Sequence, residues 1–435
     1  MQLTRRLRSR PAETLQKAAR LVDEETGVIK LLHEPPIAPD GPRIFGCGSL
    51  CSDYSQFGHP SESFISGSTS LDRDQAIAGA IGEAVERYSA AYVPHERLAF
   101  GPCEAMGPDA IMPASLTLYD DAQYAVPGFG YHPVDASTPI GWAVGHSLTR
   151  RRPVLVPAFA VYQPYRSEAG EQPVIQQVTT GLACGNTLEE AILSAICEVV
   201  ERDAAISMWL QRRQPRRVVM DPTSEGPAAA TLRRFRGGGS HVELLEVTTG
   251  IGIPAYVAAW RGPVGGRPGA VFASCAKPSA QRAAAGALAE LAQCLMWAAS
   301  LQEAGQTLPD PATDPMSRIE DHVLWPLRED AEPAYGFVFS STDRVGLDAC
   351  SKTGDEDVLS CIEACVARLA AQGLETVVVD VTSPDIEECG LHVVRAIIPG
   401  AQPLFFGAGL QRLSTRVRRG IPHGTLPNLH PHPFP

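Results

Sequence analysis

Apolar residues at spacings of three and four mark helices at about 11–25, from the Ser-rich stretch at 66–70 to about Tyr92, and at about 188–210, 279–303 and 355–372. Shorter runs rich in Val and Ile read as strands. These are GVIKLL after the first helix, HVELLEV, AYVAAW and GAVFASC between the third and fourth, and ETVVVDV and LHVVRAII after the last. PIGWAVGHSL and PVLVPAFAVY, joined by TRRRP, read as a β-hairpin of mostly buried strands. The Pro/Gly-rich stretch EPPIAPDGPRIFGCGS at 34–49 is the best boundary in the first hundred residues, and the chain beyond the last strand is Pro-rich and irregular. Helices and strands mix without clean alternation, so the expected class is α+β.

The chain also resembles itself. AIAGAIGEAVERYSAA at 76–91 aligns without gaps with AILSAICEVVERDAAI at 191–206, nine of sixteen positions being identical, and AGALAELAQCLM at 285–296 is a weaker third copy. Glu83 with Glu86, and Glu198 with Glu201, lie at i and i+3 on one helix face, and Arg87 and Arg202 stand four residues after the first acid of each pair. The third copy keeps Glu290 and carries Gln293 in place of the second acid. A solvated helix with Glu–Arg pairs is the plain reading of one such motif. Two features weigh against it here: the acid face is otherwise Gly79, Gly82, Ser194, Cys197 and Ala205, small where a wet face carries long polar side chains, and the pattern recurs.

Composition narrows the partners. The 435 residues are 44% apolar, with Gly 39 and Pro 37, which describes a folded and loop-rich globular protein. The 37 basic against 49 acidic residues give −12, which argues against nucleic acid, and no run reaches the roughly 18 apolar residues of a membrane span. The N-terminus is basic without an apolar segment after it, so no signal peptide is expected. Eleven scattered cysteines suggest buried thiols in a reducing compartment, and the cytoplasm is the expected location.

Carboxylates clustered in a tight site repel unless protonated or bridged by cations, and Mg²⁺ shared with substrate phosphates is the natural bridge. A Mg–nucleotide site is therefore the sharp expectation, although no P-loop motif occurs. Asn186, Glu190, Ser194, Glu198 and Glu201 continue one stripe at spacings of four, four, four and three. Glu190 also completes a Thr187-x-x-Glu190 capping box, and both readings stand. The Ser66-Gly-Ser-Thr-Ser70 loop is a candidate phosphate nest or an ordinary cap. GCGSLC at 46–51 lacks the last Gly of a dinucleotide fingerprint, and the cysteine spacings give no zinc signature.

With GLACGNTLEEAILSAICEVVERDA in the second helix, the sequence resembles the YcaO family of ATP-dependent, amide-backbone-activating enzymes over roughly residues 60–435. The resemblance implies an α+β fold in which three helices bind Mg²⁺ and ATP against mixed sheets. Residues 1–60 would be an N-terminal extension and 61–435 the catalytic domain with its Pro-rich tail. Glu83, Glu86, Glu198 and Glu201 would hold magnesium and phosphates; Asn186, Glu190, Arg202, Arg87, Glu290, Gln293 and Arg282 would serve the nucleotide. The ending Pro431-His-Pro-Phe-Pro435 resembles the PxPxP signature of azoline-forming cyclodehydratases, whose tail folds into the active site, so Pro431, Pro433 and Pro435 are assigned to catalysis. IGWAVGHSL, RPVLVPA and VVRAIIPGAQPL resemble the same subgroup.

In the implied chemistry a Cys thiol or Ser/Thr hydroxyl of a ribosomally made precursor peptide attacks the preceding amide carbonyl. The oxygen takes the ATP γ-phosphoryl and leaves as phosphate, with the Pro435 carboxylate as candidate base. The sequence departs from the family at Gly79, Ala183, Ser68-Thr69-Ser70 and Gly286, where family members often have Ser, Ser, a Lys in the loop and Arg; Arg282 is the candidate compensation for the last. Fused cyclodehydratases carry an extra leader-binding domain, so a separate leader-binding partner protein is expected, together with a homodimer and a flavin dehydrogenase in the same complex. A thioamide- or amidine-forming YcaO enzyme and a catalytically silent peptide-binding scaffold are the competing readings.

Overall fold

The computed structural model describes residues 1–37, 41–53, 65–166, 170–220, 223–235, 241–347 and 357–435. Leu188–Leu210 is apolar on nearly every face, and 18 of its 23 residues are buried, as expected of a helix enclosed on all sides.

The described strands form three sheets. β1 (Ile29–His33), β2 (Phe45–Cys51) and β3 (Ile65–Ser70) form an antiparallel sheet in that order. β4 (Ala99–Pro102), β5 (Pro139–Ser147), β6 (Arg152–Pro157) and β7 (Leu182–Gly185) begin a second sheet that only later strands complete. β8 (Arg216–Val219), β9 (Val242–Glu246), β10 (Ala255–Val264), β11 (Arg267–Ala276) and β12 (Arg344–Gly346) make a third, in the order β11-β10-β9-β8-β12, with β12 parallel to β8. β13 (Val377–Asp380) and β14 (His392–Ile397) then close the second sheet as β4-β5-β13-β14-β7, with β6 on β5. Leu188–Leu210 packs against β7 and β14 on one side and against β10 and β11 on the other. Arg73–Ala91 lies on β2, β3 and β7, and Ala280–Glu303 on β10, β11 and β3.

The expected hairpin is β5 and β6, paired from Ser147 opposite Arg152 to Trp142 opposite Pro157. Two expectations are corrected. The 34–49 stretch is not all linker, since Phe45–Cys51 is the middle strand of the first sheet. The Ser-rich 66–70 segment is not a loop or nest but most of β3, paired from Ser70 opposite Phe45 to Ile65 opposite Leu50. Gly and Ser have weak strand preference, and here sheet partners override it. The first helix is shorter than expected, Pro11–Ala18, and the last is Val358–Ala371, the start of its expected range lying outside the described residues. The expected division at residue 60 falls between β2 and β3, partners in one sheet. The chain after β14 is irregular apart from Thr415–Gly420, yet its last residues are packed inside, with Phe434 fully buried against Phe272. The ten described cysteines are free thiols, eight of them buried.

Candidate functional site

Three strand–helix units of one design converge. β3 leads into Arg73–Ala91, β7 into Leu188–Leu210 and β11 into Ala280–Glu303. Each helix opens on a side-chain cap: Asp72 accepts from the Gln75 N–H at 2.8 Å, Thr187 from Glu190 at 3.2 Å and Ser279 from Arg282 at 3.4 Å. The common cap gives a common phase. Eleven residues beyond it stand Glu83, Glu198 and Glu290, and fourteen beyond it Glu86, Glu201 and Gln293.

The facing flanks enclose a cavity of about 410 Å³. Of the residues singled out by sequence, Glu83, Glu86, Asn186, Glu190, Glu198, Glu201, Arg202 and Glu290 lie on its wall. Arg87 and Gln293 do not; they orient what does. Arg87 donates to Glu83 at 2.7 Å, the Gly67 N–H donates to the other Glu83 oxygen at 2.9 Å, and Gln293 donates to the Gly67 carbonyl at 3.0 Å, tying the third helix to the first unit. Arg282 is exposed in the first turn of its helix and is not on the wall, nor are Pro431, Pro433 and Pro435.

Two sequence departures have steric causes. A Cβ on Gly79 would sit 2.2 Å from Ser68 Oγ, and one on Gly286 would sit 2.5 Å from Cys275 Sγ, so the larger residues that family members often carry would force the Ser68 and Cys275 side chains out of their places. Lys277, in the connection between β11 and its helix, also lies on the wall and brings a cation that the loop at 68–70 does not supply.

The acids are held in an unusual charge state. Glu86, Glu198 and Glu290 make no hydrogen bond or ion pair among the described residues. Burial, then the neighbouring Glu198, pushes Glu86 well above the carboxylate range. Burial lifts Glu198 to about 7, Glu201 adding to the rise and Arg202, Arg395 and Lys277 opposing it. Burial and then Glu201 lift Glu290 to about 8, against the pull of Arg202. Glu201 accepts from Ser274 Oγ at 3.0 Å and stands 3.6 Å from Arg202. Burial works against the Arg202 charge, but Glu201, Glu290 and Glu198 more than offset it, and its Nε and Nη1 are buried without a hydrogen-bond partner. Among the described residues no three acid, imidazole or thiol groups form a closed metal shell.

Sequence reasoning missed the N-terminal arm. Arg8, Ser9, Arg10, Pro11 and Thr14 line the cavity. The Ser9 N–H donates to one Glu190 oxygen while the Asn186 N–H donates to the other at 3.2 Å, so Glu190 braces the arm as well as the helix start. Asn186 Nδ2 donates to Thr14 at 2.7 Å, and Lys17 donates to the carbonyls of Asn186 and Gly390, each at 2.7 Å. No periodic signal marks such a segment. Arg395, on β14, did carry one, as a lone charge in an apolar strand; it is 8% exposed, donates to Val178 O at 2.9 Å, and burial lowers it to about 10.

Residues 67–402 match the family described as YcaO cyclodehydratase, ATP- and Mg²⁺-binding. An uncharacterized protein of Methanothermobacter thermautotrophicus is 29% identical over 363 residues, 80% of this chain and 84% of its own. A heterocyclase solved in complex with substrate and cofactor has a TM-score of 0.75 at 25% identity over 94% of this chain, which spans 56% of that heterocyclase's length. YcaO from Methanopyrus kandleri, bound with AMPPCP and Mg²⁺, is similar in fold, with a TM-score of 0.66 at 23% identity over 91% of each chain. A match running from β3 to beyond β14 takes in all three strand–helix units and the acids they bring together, and on that ground the chain belongs to the YcaO family.

Proposed function

We propose that the chain is an ATP-dependent cyclodehydratase that converts Cys, Ser or Thr of a ribosomally made precursor peptide into thiazolines and oxazolines. The observation that carries the reading is the set of three half-buried carboxyls, Glu86, Glu198 and Glu290, without a hydrogen-bond or ion-pair partner among the described residues and facing one cavity from three equivalent helices.

These residues fit Mg²⁺ and ATP. Five acids facing Arg202 and Lys277 across one cavity leave an excess of negative charge that calls for a cation, and Mg²⁺ takes only one or two carboxylates when phosphates complete its shell, so the lack of a closed protein shell is no obstacle. Glu83, Glu86, Glu198, Glu201 and Glu290 would hold magnesium; Arg202, whose buried Nε and Nη1 make no hydrogen bond among the described residues, and Lys277 would take phosphate oxygens. Bound ATP would supply the phosphoryl group that makes an amide oxygen a competent leaving group. The chain's own part is to orient and neutralise. Ser274 fixes the Glu201 carboxylate, and Gly67 and Arg87 fix Glu83. We assign the base that deprotonates the attacking thiol or hydroxyl to the tail, through the Pro435 carboxylate, and we propose a leader-binding protein as partner and a reducing cytoplasm as setting.

Calorimetry tests the site: Mg–ATP should bind, and Glu198→Ala and Glu201→Ala should abolish or greatly weaken binding. Unchanged affinity in both folded variants would remove the carboxylate site. Peptide mass loss of about 18 Da per ring, requiring both ATP and a leader-binding partner, tests the reaction.

A further inference from the structure

The last residues are seated by two imidazoles. Beside the C-terminal end of Leu188–Leu210, the Asn428 N–H donates to Leu210 O at 2.8 Å and the Trp209 indole N–H to His430 O at 2.9 Å. The chain then turns inward. His432 is fully buried; its Nε2 donates to Phe405 O and its Nδ1 accepts from the Phe434 N–H at 3.3 Å. One donor and one acceptor is the inventory of a neutral ring, so both His432 nitrogens are satisfied.

The His432 ring lies 4.4 Å from that of His322, also fully buried, on the short helix Ile319–Leu324. His322 Nδ1 faces His432 O at 2.6 Å, and its Nε2 faces Met316 O at 2.9 Å. Both partners can only accept, and burial keeps the ring neutral, with one N–H. We assign that proton to Nδ1, the nitrogen with the shorter contact, which makes the ring a donor to the tail. Met316 is itself held in the left-handed backbone region, at φ 53°. Pro431 and Pro433 have no N–H to offer, so the segment is held through fewer donors, and the His432 carbonyl and ring supply three of its contacts. Beyond them, Phe434 packs edge-on against Phe272, two positions along β11 from Ser274, the residue that donates to Glu201. Burial, His322 and the Arg202 charge all lower the basicity of His432, which sets this part of the tail within electrostatic reach of the cavity wall.

We propose that His322 is a positioning residue: by donating to the His432 carbonyl and packing against its ring, it fixes residues 431–435 relative to Glu201 and Arg202. This rests on the reading that the tail takes part in cyclisation. A residue that merely filled space would be replaceable by any ring of similar size, whereas a donor would not.

Two variants separate these cases. His322→Phe keeps a ring and loses both nitrogens; His322→Asn keeps a donor near the Nδ1 position. Hydrogen exchange of the 425–435 peptide, Mg–ATP affinity by calorimetry, and phosphate release from Mg–ATP with a synthetic Gly-Cys-containing peptide as thiol probe are read on the full chain. For His322→Phe we expect at least tenfold faster exchange and at least tenfold lower kcat, with Kd and KM for ATP within twofold of wild type. His322→Asn should recover most of both losses. If His322→Phe does not fold, His432→Phe removes the Phe405 and Phe434 bonds from the tail side and should give the same split. Wild-type exchange in His322→Phe, or in His432→Phe where that replaces it, would overturn the seat itself. Fast exchange with wild-type kcat would overturn the positioning role and, if deletion of Phe434 and Pro435 is equally silent, would place the failure in the tail reading.

Discussion

Binding of Mg–ATP should expel protons, in a number set by the carboxyls' state beforehand. Glu198 stands at about 7 and Glu290 at about 8, both raised chiefly by burial. At pH 7 the first is then about half protonated and the second about nine-tenths. Bound cation and phosphates favour the ionised forms of both, so about 1.4 protons should leave at pH 7, and Glu86, held well above its ordinary range, adds up to about one more. Because the bound state is the deprotonated one, affinity rises with pH until these groups are ionised and then levels off. The assay is calorimetry in buffers of different ionisation heat, the slope of observed enthalpy against that heat giving the proton count. Glu290→Gln should subtract about 0.9 proton and Glu198→Gln about 0.5. Tight wild-type binding with fewer than about 0.3 protons released at pH 7 would refute the reasoning, since the acids would then be ionised without ligand or uninvolved in binding.

The same carboxyls should shape stability. Their folded values lie above the roughly 4.3 of an unfolded Glu, so the stability they contribute is fully present below about pH 4.3 and lost as pH rises through about 7 to 8. Urea unfolding across that range should show the fall in the ligand-free protein and its reversal by Mg–ATP. Gly286→Arg should lower the melting temperature, the overpacking against Cys275 costing about 1–3 kcal/mol or more. Lys17→Met removes two charge-assisted bonds, one to the Asn186 carbonyl at the second unit's start and one to the Gly390 carbonyl just before β14, and should cost about 1.5–3 kcal/mol by denaturant titration while weakening Mg–ATP binding. One residue added after Pro435 should cut azoline formation by orders of magnitude, read by mass, and leave Mg–ATP affinity within a fewfold.

The repeat made the site legible. Glu83, Glu198 and Glu290 could be placed together from the chain alone because copied helices with equivalent caps present equivalent faces, and the small residues around the acids signalled close packing. The long apolar helices and the hairpin were readable for the same local reason. What escaped depends on distant partners. β3 looks like a loop because Ser, Gly and Thr give no alternation, and only pairing with β2 makes it a strand. Residues 8–14 reach the cavity through bonds to Glu190 and Asn186, about 180 positions away, which no window on the sequence detects. The Pro-rich ending has the composition of an exposed tail and is buried because His322, Phe405 and Trp209 happen to receive it.

The fixed offset between cap and acid makes chain length, more than residue identity, the protected quantity. Each cap lies eleven residues before its Glu, and one residue inserted or removed in 73–83, 188–198 or 280–290 would turn that acid by about 100° around its helix and slide it about 1.5 Å along the axis. Substitutions in these spans keep the acid aimed, whereas a single-codon indel aims it into a sheet or toward solvent. Random mutagenesis with selection for function should therefore recover many point changes in the three spans and essentially no indels.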